Sequence, residues 1–168
     1  MTEVAEKPLA NTLYDNDFYA WTQEQAALLR AKRWADLDLE NLVDEVESVG
    51  GSERREINSR LEVLLAHLLK WKYQPGRRVP SWINTISEQR SRLVESIESS
   101  PSLRPFMTEA FPKRYGAARL AAEKETGIAF VLFPDECPFT LEQVMNPEFY
   151  PDEPGMYHPT NKLSPGRL

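Results

Sequence analysis

A short stretch that combines basic and aromatic side chains is the first place where this sequence offers a binding chemistry. In KWKYQPGRRVPSW, residues 70 to 82, cations alternate with large rings: Lys70, Lys72, Arg77 and Arg78 with Trp71, Tyr73 and Trp82. Because cations neutralise phosphates and rings stack on bases, this basic aromatic turn suits a single-stranded nucleic acid or a nucleotide. A structural interpretation competes with it, since lysines favour helix C-termini and tryptophans anchor turns in cores. We favour the structural interpretation and keep ligand binding as the alternative.

One histidine at the border of an apolar helix face is the second candidate. His67 follows Leu64 by three residues, and an acid–base pair with Glu45 or Glu47 would give it a catalytic partner. If the chain reverses at Gly50-Gly51, however, Glu45 lies opposite residues 56 and 57 rather than His67. Metal sites in helical bundles usually use a Glu-x-x-His unit, which the sequence lacks. We therefore predict a structural His67, no metal and no cofactor, and leave an enzyme with a His67–carboxylate cleft as a weaker alternative.

Polar residues that interrupt apolar helix faces form the third candidate. Gln89 and Arg90 fall within an otherwise apolar stripe. A buried arginine needs a partner, so we predict an ion pair of Arg90 with Glu45 or Glu47 that holds two helices in register. The whole set is interpreted as a structural polar network: Asn41, Glu45, Glu47, Gln89 and Arg90.

The common catalytic motifs are absent from the sequence. It has no P-loop, dinucleotide-binding fingerprint, HExxH motif, CxxC pair or nucleophile elbow. Cys137 is the single cysteine, stands without an identifiable base nearby, and is predicted to be a structural thiol. A lone cysteine, the lack of a long apolar run and the lack of a signal peptide predict a cytoplasmic protein that does not enter a membrane.

Charge is spread unevenly along the 168 residues, whose formal net charge is −6. Residues 1 to 52 contain 11 acids and 4 bases, residues 53 to 104 contain 6 and 10, and residues 105 to 168 contain 9 and 6. The total does not resemble that of a general nucleic-acid binder, whose basic footprint usually shows in the sum. We expect the acidic and basic thirds to face each other within one domain.

Helices must position these candidates, and residues 52 to 75 form the longest helical pattern. Its apolar positions recur at spacings of four and three residues: Ile57, Leu61, Leu64, Leu68 and Trp71. An acidic helix from Asp38 precedes it and is predicted to end at Gly50-Gly51. Pro112 is predicted to break or kink a later helix. Because no stretch has a strand partner, we predict an all-α irregular bundle of about five to six helices.

The composition divides the chain into three segments. We expect a flexible leader over residues 1–12, a helical bundle domain over residues 13–146 and a proline-rich tail over residues 147–168. The tail is expected to pack on the body or on a neighbouring molecule through Phe149, Tyr150 and Tyr157.

The order of several runs resembles one bacterial family. YDNDFYAWTQEQAALLR, DLENLVDEVESVGGSERREINSRLEVLLAHLLKWKYQP, SWINTISEQRSRL and FPDECPFTLEQV together resemble the small helical family catalogued as domain of unknown function twenty-nine, over roughly residues 13 to 150. The resemblance implies an all-helical bacterial cytoplasmic protein and assigns no activity. Its pattern emphasises the following residues without giving them a catalytic role: Trp21, Gln25, Asn41, Glu45, Glu47, His67, Trp71, Tyr73, Trp82, Gln89 and Arg90.

The function expected from these observations is an interaction rather than a reaction. We predict a non-enzymatic helical module, with a protein-binding or regulatory role, that contacts another protein or a second copy of itself through a helix face and the tail. Nucleic-acid or nucleotide binding through the basic aromatic turn is the alternative.

Overall fold

The structure is a computed structural model that describes residues 13 to 151. The described residues form six α-helices and no strand, which confirms the predicted all-α class. In chain order the helices are α1 Leu13–Asn16, α2 Phe18–Arg30, α3 Leu39–Tyr73, α4 Pro80–Ser99, α5 Arg104–Thr126 and α6 Leu141–Met145. The chain divides into two compact units, Met1–Gly51 (unit 1) and Ser52–Leu168 (unit 2). The predicted leader, Tyr157 and the rest of the chain after residue 151 lie outside the described residues.

The predicted end of the acidic helix at Gly50-Gly51 is wrong, because α3 runs without interruption from Leu39 to Tyr73. Among the described residues, Gly127 is the one glycine with a positive φ, so Gly50 does not adopt the left-handed conformation of a helix cap. A glycine inside a helix costs only about 1 kcal/mol relative to alanine. Helical residues on both sides of the pair outweigh that cost.

Of the break or kink predicted at Pro112, the break does not occur, because α5 continues through the proline. The proline removes one N–H donor, which leaves the carbonyl of Thr108 without its helical partner. Both residues are exposed, so water can supply the missing donor.

The core of unit 2 forms around the predicted apolar face of α3. All five positions predicted for this face are fully buried: Ile57, Leu61, Leu64, Leu68 and Trp71. They belong to one cluster with side chains of α4 and α5, among them Ile86, Leu93, Ala118 and Ala122. Because burial of each leucine or isoleucine contributes about 1.5–3 kcal/mol, this cluster accounts for much of the driving force for folding of unit 2.

Arg119 anchors the chain that follows α5. Gly127, with a φ of +73°, ends the helix. The Arg119 guanidinium then donates to the carbonyl oxygens of Phe130 and Phe133 at 3.2 and 3.0 Å, and its carbon lies 3.9 Å from the centre of the Phe130 ring. Phe133 of this loop is buried in the core of unit 2.

A capping box starts the last helix, as the spacing of Thr140 and Gln143 predicts. The Gln143 N–H donates to the Thr140 hydroxyl at 3.2 Å, and the Thr140 N–H donates to the Gln143 side chain at 2.9 Å. The chain beyond α6 returns to the core of unit 2, where the ring of Tyr150 lies 4.9 Å from that of Trp71.

Candidate functional site

Unit 1 contains an antiparallel helical hairpin made by α2 and the first part of α3. The Tyr14 hydroxyl, just before α2, donates to Glu45 at 2.6 Å, whereas Trp21 Nε1 donates to Asp38 at 3.2 Å. The earlier residue of α1 and α2, Tyr14, pairs with the later residue Glu45, and the later residue Trp21 pairs with the earlier residue Asp38. The two segments therefore run in opposite directions. The hairpin therefore has an open end at Phe18 and an elbow end near Asp38.

Asp38 makes several hydrogen bonds at the elbow end of the hairpin. Its carboxylate accepts from Trp21 and, at 2.6 Å, from the Asn41 side-chain amide. Its backbone N–H donates to Gln25 Oε1 at 2.9 Å. Gln25 is only 4% exposed, so this bond satisfies a buried amide oxygen. Asn41, which was predicted to belong to a structural polar network, thus donates to Asp38 at the elbow end.

Aromatic rings hold the open end. Tyr14 lies 5.7 Å from Phe18 and 4.9 Å from Trp21, both edge to face, and Phe18 stacks on Trp21 at 5.6 Å. The hydrogen bond to Glu45 raises the pKa of Tyr14 to about 12. The Tyr14 hydroxyl is therefore protonated at neutral pH, and its hydrogen bond holds the Glu45 side chain at the open end of the hairpin.

The two helices of the hairpin leave an open groove of about 330 Å³ between them, here named the unit 1 groove. Its lining residues recur every three or four positions on both helices: Phe18, Trp21, Thr22, Gln25, Ala26 and Leu29 from α2, and Leu42, Glu45, Val46 and Val49 from α3. From Phe18 to Leu29 the groove follows α2 for about 16 Å, at about 1.5 Å per residue. Apolar faces of this length and spacing match a third helix of about three turns.

Most of the large apolar side chains in the described part of unit 1 are exposed. Among its described residues only Trp21 and Gln25 are buried. Nine of the fourteen exposed large apolar side chains in the described chain lie here: Leu13, Phe18, Tyr19, Leu29, Trp34, Leu39, Val43, Val46 and Val49. Val46 is 72% exposed and Val49 is 65% exposed. Phe18, Leu29, Val46 and Val49 of this set line the unit 1 groove, and exposed apolar side chains grouped in this way are typical of an interaction site.

The basic aromatic turn of unit 2 uses two of its cations internally. Lys70 is 5% exposed, donates to Glu125 at 2.5 Å, and places its ammonium 4.7 Å from the centre of the Trp82 ring. Arg78 donates to the Trp71 carbonyl at 3.0 Å and lies 4.7 Å from the centre of the Trp71 ring. These contacts fix the end of α3 to α5 and to the start of α4.

The remaining residues of the turn offer less to a nucleic acid than the sequence suggests. Trp71 is fully buried, so its ring is not available to stack on a base. Tyr73 packs edge to face on Phe133 at 5.2 Å. Lys72 and Arg77 are exposed.

His67 has a structural contact of its own. Its Nδ1 lies 2.9 Å from the Val63 carbonyl, one turn earlier on α3, and therefore donates to it. Desolvation by burial lowers the pKa of His67 below its usual value, although the Val63 carbonyl and Glu125 act in the opposite direction. The imidazole is thus neutral at pH 7.

Arg90 has backbone partners in place of the predicted carboxylate of Glu45 or Glu47. Its guanidinium donates to the carbonyl oxygens of Val144, Pro147 and Phe149 at 2.7, 3.2 and 2.6 Å. Three carbonyl oxygens provide the negative charge density that a buried arginine needs, and no sequence pattern marks them. The neighbouring Gln89 accepts from Arg60 at 3.1 Å.

Three further findings concern the Cys137 thiol, metal-binding side chains and membrane crossing. Burial raises the pKa of the Cys137 thiol, which opposes formation of the nucleophilic thiolate. In residues 13 to 151 no three histidine, cysteine or acidic side chains are arranged to hold a metal ion. Likewise, none of the described helices is long and apolar enough to cross a membrane.

Sequence reasoning missed the unit 1 groove although its residues were visible. Phe18, Trp21 and Leu29 recur at helical spacing, as do Leu42 and Val46. An amphipathic helix usually buries its apolar face, so this spacing alone does not indicate a groove. The high density of acids around these faces is the signal that could have indicated one, because it is unusual for a core.

The comparisons with known proteins identify a family without an activity. The family described as "Domain of unknown function DUF29" matches residues 13–150, and the chain belongs to this family. No curated protein and no solved structure matches the chain significantly.

Proposed function

We propose that this member of the DUF29 family is a non-enzymatic interaction module whose unit 1 groove binds an amphipathic α-helix of a partner protein. The observation that carries the proposal is the groove itself. Two helices present apolar side chains at helical spacing along one channel, and a third helix would complete the packing.

The size of the groove supports a helical occupant. A helix of about three turns covers the 16 Å from Phe18 to Leu29. Val46, the more exposed of the two valines that line the groove, would gain about 1 to 2 kcal/mol on full burial, which corresponds to roughly five- to thirtyfold in affinity. Recognition would follow the mode in which an amphipathic helix places its apolar face in a hydrophobic groove.

The test is a binding measurement with a designed peptide. The probe is a fluorescent synthetic helix of about 18 residues with leucines at spacings of three and four, long enough to be helical. We expect Val46→Ser to weaken its binding about five- to thirtyfold, by the burial argument above. Val131→Ser is the matched control, because Val131 is 82% exposed and lies in unit 2.

Several outcomes would overturn the proposal. Equal binding of a peptide with the same composition in scrambled order would show that the groove does not select a helix. Equal effects of Val46→Ser and Val131→Ser would place the binding elsewhere. A dimer in sedimentation that Val46→Ser dissociates would assign the groove to a second copy. Peptide binding that appears only after removal of residues 1–12 or 152–168 would assign it to a terminal segment.

Nucleic-acid or nucleotide binding through the basic aromatic turn is the alternative proposal. It would depend on the exposed Lys72 and Arg77, since Lys70 and Arg78 have partners within the chain. Labelled oligonucleotides test it, and an absence of binding at low salt would end it. A catalytic cleft that pairs His67 with Glu45 or Glu47 is the weakest alternative, because Glu45 accepts from Tyr14 in unit 1 and His67 donates to the Val63 carbonyl.

The cellular setting is also a proposal. The family resemblance and the single cysteine support a bacterial cytoplasmic protein. Fractionation of the native cell tests this location, and recovery with exported proteins would contradict it.

A further inference from the structure

The charges of unit 1 are strongly polarised along its hairpin. The described part, residues 13 to 51, contains nine acids and three bases. All three bases, Arg30, Lys32 and Arg33, follow the apolar face of α2 and lie at the elbow end. No lysine or arginine occurs in residues 13 to 29 or 39 to 51.

The open end, in contrast, is surrounded by carboxylates. Asp15 and Asp17 immediately precede Phe18, and the Asp17 side chain caps α2 by accepting from the Ala20 N–H at 2.9 Å. Glu45 lines the unit 1 groove itself and accepts from Tyr14 through one of its oxygens. Hydrogen bonds do not cancel the charge of a carboxylate, so Asp17 and Glu45 keep their negative charges at the open end. The bases at the elbow are partly matched by acids, as in the 2.8 Å pair of Arg33 with Asp36.

We infer that the helix bound in the unit 1 groove carries basic residues at one end, and that this end lies beside Glu45 and Asp17. The inference rests on the proposed function and specifies the partner and its orientation. Opposite charges attract over about 10 Å at 0.1 M salt, which covers the open end of the groove but not its full length. The acidic end therefore favours one direction of binding over the reverse.

The same argument disfavours a second copy of this hairpin as the occupant. A second unit 1 would bring another cluster of carboxylates to a surface that is already acidic. Like charges at an interface are unfavourable, so a basic partner segment fits better.

Three synthetic peptides test the inference. They share one leucine face and differ only in three residues at one end, which are lysine, glutamine or glutamate. We expect the lysine peptide to bind about tenfold tighter than the glutamine peptide in low salt, and the glutamate peptide to bind more weakly still, because each exposed pair contributes about two- to fivefold. The difference is expected to shrink in high salt.

Two charge variants of the protein locate the effect. Glu45→Gln keeps an acceptor for Tyr14 and removes the charge, so it should weaken binding of the lysine peptide about two- to fivefold more than binding of the glutamine peptide. Glu24→Gln is the matched control, because Glu24 is an exposed acid of α2 that does not line the unit 1 groove. A paramagnetic label on the lysine end should broaden amide signals near Phe18 and Val49 rather than those near Leu29 and Leu39.

The outcomes separate the inference from the function on which it rests. If none of the three peptides binds, the proposed function fails. If all three bind equally, or if Glu45→Gln and Glu24→Gln act alike, the groove stands and the charge inference is overturned. Equal broadening at both ends of the hairpin would overturn the inferred orientation.

Discussion

Removal of the Arg90 guanidinium should detach the segment that follows α6 from the core of unit 2. Arg90 is 4% exposed, and its guanidinium donates to the carbonyls of Val144, Pro147 and Phe149. Arg90→Met keeps most of the apolar stem and removes the donors. The carbonyl of Pro147, an exposed residue, can turn to water, whereas Val144 is fully buried.

The expected loss follows from the carbonyls that lose their donor. A buried acceptor left without a partner costs about 1–3 kcal/mol. The Val144 carbonyl is such an acceptor, and the carbonyl of the half-buried Phe149 is partly shielded from water. Because Arg90→Met also removes a buried charge, which offsets part of the loss, we expect it to lower the free energy of unfolding by about 2–4 kcal/mol. The melting temperature should fall by roughly 10 °C.

Urea unfolding followed by tryptophan fluorescence measures this change, because Trp71 contacts Tyr150 in the attached segment. Arg92→Met is the matched control on the same helix. The Arg92 side chain is 53% exposed and pairs with Glu95 at 3.1 Å, so its loss should cost less than about 0.5 kcal/mol. Similar effects of the two substitutions would refute this account of Arg90. So would unchanged amide exchange in residues 144 to 151 of Arg90→Met.

Two further predictions concern helix continuity and pH. Gly50→Ala should stabilise the protein by about 0.5–1 kcal/mol, since a Cβ there meets nothing within 4 Å, whereas Gly127→Ala should destabilise it because the φ of Gly127 is +73°. Thermal unfolding measures both, and a loss of stability in Gly50→Ala would contradict a continuous α3. Burial lowers the pKa of His67 in the folded protein. The stability that the neutral, buried imidazole contributes is therefore fully present above its unfolded pKa of about 6.5, and it is lost as pH falls through the folded pKa. Unfolding free energy measured from pH 7.5 downward should decline less steeply in His67→Gln than in the parent, and parallel curves would contradict this role.

The helical core was predictable from the sequence because its signal is local. Apolar positions at spacings of three and four identify the buried face of α3, and the capping-box spacing identifies the start of α6. Such patterns depend on neighbours within one helix, so they can be recognised without knowledge of the fold. The overall all-α class follows from the same signals.

The partners of the polar residues were not predictable, because they depend on tertiary contacts with groups that every residue carries. Arg90 binds backbone carbonyls, which no residue type marks. The continuity of α3 through Gly50-Gly51 was also missed, since glycine signals a helix end only when its neighbours do not hold it in helical geometry. The unit 1 groove was hidden for a third reason, since a sequence pattern shows that a face is apolar but not whether the chain covers it.

The central claim is that the unit 1 groove receives a helix, and a nuclear magnetic resonance titration tests it most directly. The lysine-ended peptide is added to isotope-labelled protein, and amide shifts are mapped onto the described residues. The account predicts shifts concentrated along α2 from Phe18 to Leu29 and around Val46 and Val49. Shifts centred instead on Lys72 and Arg77 in unit 2, or none at saturating peptide, would contradict it.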